Sequence, residues 1–196
     1  MRLALLPLLV ALAACQTPSS DGDVAAGPPP DTAATMGLET NDLVVATLAP
    51  LDSSGVSGTV EFRRLGEATE IRYALDGLPA GDHGFHLHEN AACGPDSTGT
   101  PGSAAGGHFN PTASPHGAPG ASMTGRHAGD FGNVVADAAG HAEGIVVDSV
   151  LTFEGPTNLV GHAVIVHEKR DDLATQPSGD AGDRLACGVT AAGSPR

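Results

Sequence analysis

The chain has no tryptophan, one tyrosine (Tyr73) and one lysine (Lys169). A net charge of −14 with so few cations argues against a nucleic-acid partner, because phosphates call for clustered Lys and Arg. No segment carries a helical stripe of apolar residues, so a helical bundle has no support. The N-terminal apolar run, Leu3 to Leu12, is too short to span a bilayer. Cysteine is scarce too, with only Cys15, Cys93 and Cys187. Against these shortages stand 27 glycines and 15 prolines, which describe a loop-rich chain of short elements. The hydrophobic share of 40% still permits a core, and 196 residues allow one domain with appendages.

The N-terminus reads as an export signal. Arg2 is a minimal positive region, Leu3 to Leu12 is apolar, and the small residues Ala13 and Ala14 directly precede Cys15. The run LAAC resembles the lipobox of bacterial lipoproteins, in which cleavage leaves the Cys as a lipidated N-terminus. The alternative is an ordinary secretory signal followed by a chance Cys. The lipobox reading divides the chain into a signal peptide (1–14), a lipidated Cys15 with a flexible tether (15–41), and a domain (42–196). The stretch QTPSSDGDVAAGPPPDTAATMG has no apolar period and cannot bury enough surface to offset its ordering entropy. Gln16 after the lipobox Cys implies outer-membrane sorting, which places the domain in the bacterial envelope facing the periplasm.

From Leu43 the pattern becomes that of strands. Val56, Val60 and Phe62 alternate with Ser57, Thr59, Glu61 and Arg63; Ile71, Tyr73 and Leu75 alternate with Glu70, Arg72 and Asp76. Further strands are expected at 43–49, 83–88, 131–136, 143–150, 160–167 and 185–190. Short strands with Gly-rich turns predict an antiparallel sandwich or flattened barrel. Long irregular stretches at 89–130 and 168–184 interrupt it, and loops of that length are usually functional.

Histidine is the residue in unusual supply. His86 and His88, in GFHLHE, leave one face of a strand with Cα atoms roughly 6–7 Å apart, which suits two ligands of one metal. His108, His116, His127 and Asp130 lie in a Gly/Pro-rich loop; three His and one carboxylate make the closed set that zinc prefers. His167 ends a Val/Ile strand on the face opposite Val164 and Val166. Taken singly, each of these histidines reads better as an incidental strand, solvated-loop or strand-end residue; together they do not. If Cys15 carries lipid, Cys93 and Cys187 remain, and export favours a disulfide between them over two buried thiols.

Together these residues resemble copper/zinc superoxide dismutase, over about residues 43–191. GFHLH, GGHFNP, RHAGDFGNV, HEKRDDL and GDRLACGV stand in family order. The resemblance implies an all-β, eight-stranded Greek-key barrel with two long functional loops, and a copper- and zinc-dependent enzyme that turns superoxide into dioxygen and hydrogen peroxide. It implies copper on His86, His88, His108 and His167, and zinc on His108, His116, His127 and Asp130, with His108 bridging and moving a proton. Asp171 would link the two ligand sets by hydrogen bonds, Arg184 would receive the anion, and Cys93 and Cys187 would form the family disulfide. A homodimer is compatible with the resemblance. His83, His141 and His162 fall outside the ligand set: His83 is expected to bond backbone, His141 to sit in a turn, and His162 on a strand surface. Lys169, Arg170 and Arg184 are expected to make a positive mouth, weakened by the acids of 171–183. Thr190 departs from the family's usual Ile or Val. The competing reading is an envelope lipoprotein that buffers copper or zinc without turnover.

Overall fold

The structure is a computed structural model that describes residues 43–193. The signal peptide, Cys15 and the tether expected within 1–41 lie outside the described residues. Nine strands follow in order: β1 (Leu43–Pro50), β2 (Ser57–Leu65), β3 (Ala68–Asp76), β4 (Gly81–His88), β5 (Asp130–Ala136), β6 (Ala142–Asp148), β7 (Ala163–His167), β8 (Arg184–Val189) and β9 (Ala191–Ala192). Helix among the described residues is limited to single 3-10 turns at Ser103–Ala105 and Gly155–Thr157. All strand pairings are antiparallel, in the order β5-β4-β7-β8-β1-β2-β3-β6, with β9 added on β1. β5 and β6, the two ends of that path, lie against each other and nearly close the sheet into a barrel.

Alternation fills the interior. Val44, Ala46 and Leu48 of β1, Val60 and Phe62 of β2, and Ile71 and Leu75 of β3 are buried in one core with Phe85, Leu87, Phe131, Val164 and Val166. Phe85 packs on Phe131 at 5.2 Å and on Tyr73 at 5.6 Å between ring centres. β4 and β7 are different, because both of their faces are covered. Phe85 and Leu87 point into the barrel; His86 and His88 leave its outer face and are nonetheless buried under the two long loops. Ile165 and Ala163 share that outer face and pack with Leu51, Ala105 and Cys187. A disulfide joins Cys93 to Cys187 across it, with Cα atoms 5.6 Å apart.

Two strand limits differ from expectation for a local reason. β6 stops at Asp148 because its Oδ1 accepts the N–H groups of Val150 (2.8 Å) and Leu151 (2.7 Å), turning the chain away from the ladder. β7 starts at Ala163 because the N–H of His162 donates to Thr190 Oγ1 at 2.9 Å. Thr190 is buried and its hydroxyl also lies 2.7 Å from Leu159 O, so a side chain of Val shape with one hydroxyl closes this corner.

Candidate metal centre

The outer face of β4 and β7 gathers the histidines. His86, His88, His108 and His167 bring one nitrogen each within 4.8 Å of one another, and so do His108, His116 and His127 with a carboxylate oxygen of Asp130. All seven residues are buried and His108 belongs to both groups. His86 and His88 come from β4, His167 from the end of β7, Asp130 from the start of β5, and the remaining three from the loop between β4 and β5.

Hydrogen bonds fix which nitrogen of each ring is free. His88 Nδ1 lies 2.9 Å from Gly106 O and His167 Nδ1 lies 3.2 Å from Gly182 O, so both carry their proton there. Their Nε2 lone pairs therefore face each other at 3.3 Å, an arrangement that repels unless a cation sits between them. His86 Nε2 donates to Asp171 Oδ2 at 2.9 Å, which leaves Nδ1 buried without a partner. His108 Nδ1 lies 2.7 Å from Asp130 Oδ1, and its Nε2 is likewise unpartnered. Four free nitrogens thus converge on one point.

The second point is built around Asp130. The Nδ1 atoms of His108, His116 and His127 lie 2.7, 3.1 and 3.1 Å from the same Oδ1. His116 Nδ1 has no hydrogen-bond partner there, since three rings crowd one oxygen. A tetrahedral cation among three nitrogens and one carboxylate resolves that crowding, and the set matches zinc. Imidazole suits copper in both oxidation states at the other point. The residues fit both metals.

Electrostatics divide the centre in the same way. Burial pushes His86 down, and pushes His88 and His167 well down. Burial also lowers His108 to about 4, with His86 adding to the effect. These rings are neutral and offer lone pairs. For His116 burial opposes charge, but the adjacent carboxylates of Asp130 and Asp171 outweigh it and raise the ring to about 9. Asp130 and Asp171 are held well below the usual carboxylate range; burial opposes this, and their histidine partners overcome it.

Asp171 joins the two points. Its Oδ2 takes His86 Nε2 at 2.9 Å, and its Oδ1 takes His116 Nε2 at 3.0 Å and the N–H of Leu173 at 2.7 Å. Gly179 (φ +69°) crosses so closely that a Cβ would lie 1.8 Å from Asp171 Oδ1. Asn133 holds the backbone of Asp171 from β5, accepting its N–H at 2.7 Å and donating to its carbonyl at 2.9 Å. Sequence reasoning missed Asn133, although it stands inside RHAGDFGNV. It also missed Arg126 of the same motif. That guanidinium is buried, pairs with Asp148, and donates to the carbonyls of His127 (3.0 Å), Ala128 (3.3 Å) and Asp130 (3.3 Å). An arginine directly before His127, a candidate ligand, was the available signal; its partner 22 residues away was not readable locally.

A cavity of about 550 Å³ opens over the first point. Its lining includes His88, His108 and His167, Pro177 and Ser178, and the charged Arg184 and Glu89. Arg184 Nη1 donates to Gly102 O at 2.5 Å and Nη2 to Gly106 O at 2.6 Å, the carbonyl that also serves His88. Burial lowers the guanidinium from its ordinary value, but an arginine stays charged. Of the three cations expected at the mouth, Arg184 lines the cavity, Lys169 runs beside the lining residue Gly182, and Arg170 pairs with Asp82 at 3.2 Å. Of the three other histidines, His83 bonds the carbonyls of His167 (2.9 Å) and Pro79 (2.8 Å), and His141 sits by a turn 3.0 Å from Asp76. His162 is not on a strand surface: it precedes β7, stacks on Phe109 at 3.9 Å and reaches Glu89 O at 2.9 Å.

Known proteins match this arrangement. The family described as copper/zinc superoxide dismutase, whose metals are copper and zinc, matches residues 56–190. An extracellular Cu-Zn superoxide dismutase of Caenorhabditis elegans is 40% identical over 138 residues, covering 67% of this chain. The aligned part spans 59% of that relative's length. The crystal structure of the clock protein EA4 superposes with a TM-score of 0.68 at 34% identity, covering 80% of this chain and 98% of that one. With ligand sets, barrel and sequence in agreement, the chain belongs to the copper/zinc superoxide dismutase family.

Proposed function

We propose that the domain dismutes superoxide, with copper held by His86, His88, His108 and His167 and zinc by His108, His116, His127 and Asp130. The observation that carries this reading is His108, whose two ring nitrogens face the two donor sets. Copper, when bound, supplies one-electron exchange, so that one superoxide is oxidised to dioxygen and a second, with two protons, is reduced to hydrogen peroxide. Four protein donors around zinc leave it no open position, which suits a structural role.

The chain's own residues do the rest. His108 Nε2, unpartnered on the copper side, is the atom that holds a proton between half-reactions and yields it to peroxide; its Nδ1, on the zinc side, fixes the ring. Arg184 spends two N–H groups on Gly102 and Gly106, which fixes its plane and leaves three to bind the anion. Pro177 and Ser178 line the same cavity as Arg184 and His108.

Beyond the domain, the reading extends to location. Residues 1–14 act as a lipoprotein signal, Cys15 carries lipid, and 15–41 tethers the domain to the bacterial envelope on its periplasmic side. The disulfide and the extracellular relative support export. The test is superoxide decay followed after a pulse, with protein loaded with copper and zinc and with metal-free protein. Catalysed decay only in the loaded form is expected. One copper and one zinc bound per chain with uncatalysed decay would overturn the enzyme reading in favour of metal storage.

A further inference from the structure

Gln176 is exposed and ligates nothing, yet its carboxamide is docked on the backbone of a zinc-side histidine 60 residues away. The N–H of His116 donates to Gln176 Oε1 at 2.8 Å, and Gln176 Nε2 donates to His116 O at 2.9 Å. The pairing imitates one rung of a β-ladder and admits one orientation of the amide. A third bond, Nε2 to Ala174 O at 3.1 Å, holds the side chain ready. The segment carrying Gln176 is self-braced: Asp172 accepts the N–H groups of Ala174 (2.9 Å) and Thr175 (2.8 Å), and Thr175 O accepts Gly179 N–H at 2.7 Å.

On either side of Gln176 the segment does two jobs. Upstream, Asp171 bonds the rings of His86 and His116. Downstream, Pro177 and Ser178 form a wall of the cavity, and Gly179 is pressed against Asp171 and the His116 ring. Asp171 fixes the ring, and the N–H of Gly117 donates to Asp130 Oδ2 at 3.1 Å; the Gln176 pairing ties the His116 main chain itself to the 171–183 segment.

We infer that Gln176 is a positioning residue that clasps the 171–183 segment to the backbone of His116, so that zinc retention and the placement of the Pro177–Ser178 wall depend on each other. The inference rests on the zinc assignment proposed above. Losing two partly exposed hydrogen bonds corresponds to roughly tenfold. Gln176→Ala should therefore release zinc to a chelator roughly ten times faster than the native protein. Gln176→Glu should not rescue it, because a carboxylate keeps the bond to His116 N–H but turns an acceptor toward His116 O. Amide exchange should quicken at 111–130 and 171–183 while β2, β3 and β7 stay as protected as before. Zinc release from Gln176→Ala within twofold of native, or faster exchange spread evenly through the barrel, overturns the clasp. His116→Ala is the control for the underlying reading: if it retains zinc as the native protein does, the zinc assignment fails, whatever Gln176 does.

Discussion

Cys93→Ser tests how the covering loop is held to the barrel. The bridge closes a segment with a sequence separation of 94, for which loss of chain entropy in the unfolded state gives about 4.7 kcal/mol. Native disulfides in small secreted domains are worth about 2–5 kcal/mol, so that figure is the upper end. About 150 described residues unfold with roughly 0.3 kcal/mol/K of entropy, which converts the range to a fall in Tm of about 6–15 °C. The effect also has a place. Cys93 anchors the loop whose Gly102 and Gly106 carbonyls hold Arg184, and Gly106 O holds His88 as well. Untied, that loop should lose amide protection at 102–107 before the barrel opens. The assay is thermal and denaturant unfolding of metal-free native and Cys93→Ser proteins, with exchange read by segment. Equal stability within 0.5 kcal/mol, or two titratable thiols in the unfolded unreduced domain, would refute the reasoning.

Arg184→Ala should leave copper and zinc content unchanged and lower turnover, Arg184→Glu should lower it further, and added salt should shrink the difference; native turnover by Arg184→Glu at low salt would remove Arg184 from substrate binding. In the metal-free protein, the buried rings have folded pKa values below their unfolded value of about 6.5, His108 at about 4. Their contribution is therefore complete above pH 6.5 and lost as pH falls toward 4, while raised His116 contributes fully below about 6.5 and loses its share as pH rises through about 9. Denaturant titrations of metal-free protein between pH 4 and 8 should show this acid loss, and a flat profile below 6.5 contradicts it. Cys15→Ser should move the protein out of the membrane fraction with dismutation in the folded domain intact; unchanged partition and lipid labelling would exclude the anchor.

Much of the fold was legible because two strands, β2 and β3, keep one wet face and show a clean period of two. β4 and β7 hide that signal, since loops bury both of their faces. There the histidines themselves marked the outer side. The two side-chain clusters were readable from motif and order, and the structure brings all seven residues together. What was not readable depends on long-range partners. Arg126 needs Asp148, Asn133 needs Asp171, and Gln176 needs the backbone of His116, and none of these pairs has a local spacing. The pairing of Arg170 was hidden for the same reason. Arg170 follows His167 closely in sequence, but its partner Asp82 stands 88 residues away.

The central claim is that one imidazole serves two metals. Copper and zinc titrations of metal-free native, His116→Ala and His108→Ala proteins, read by metal analysis after chelator competition, test it most directly. The native protein should hold one copper and one zinc, His116→Ala should lose zinc first and keep copper more loosely, and His108→Ala should weaken both at once. Full, native-affinity retention of both metals by His108→Ala would contradict the shared ligand and the dismutation reading built on it.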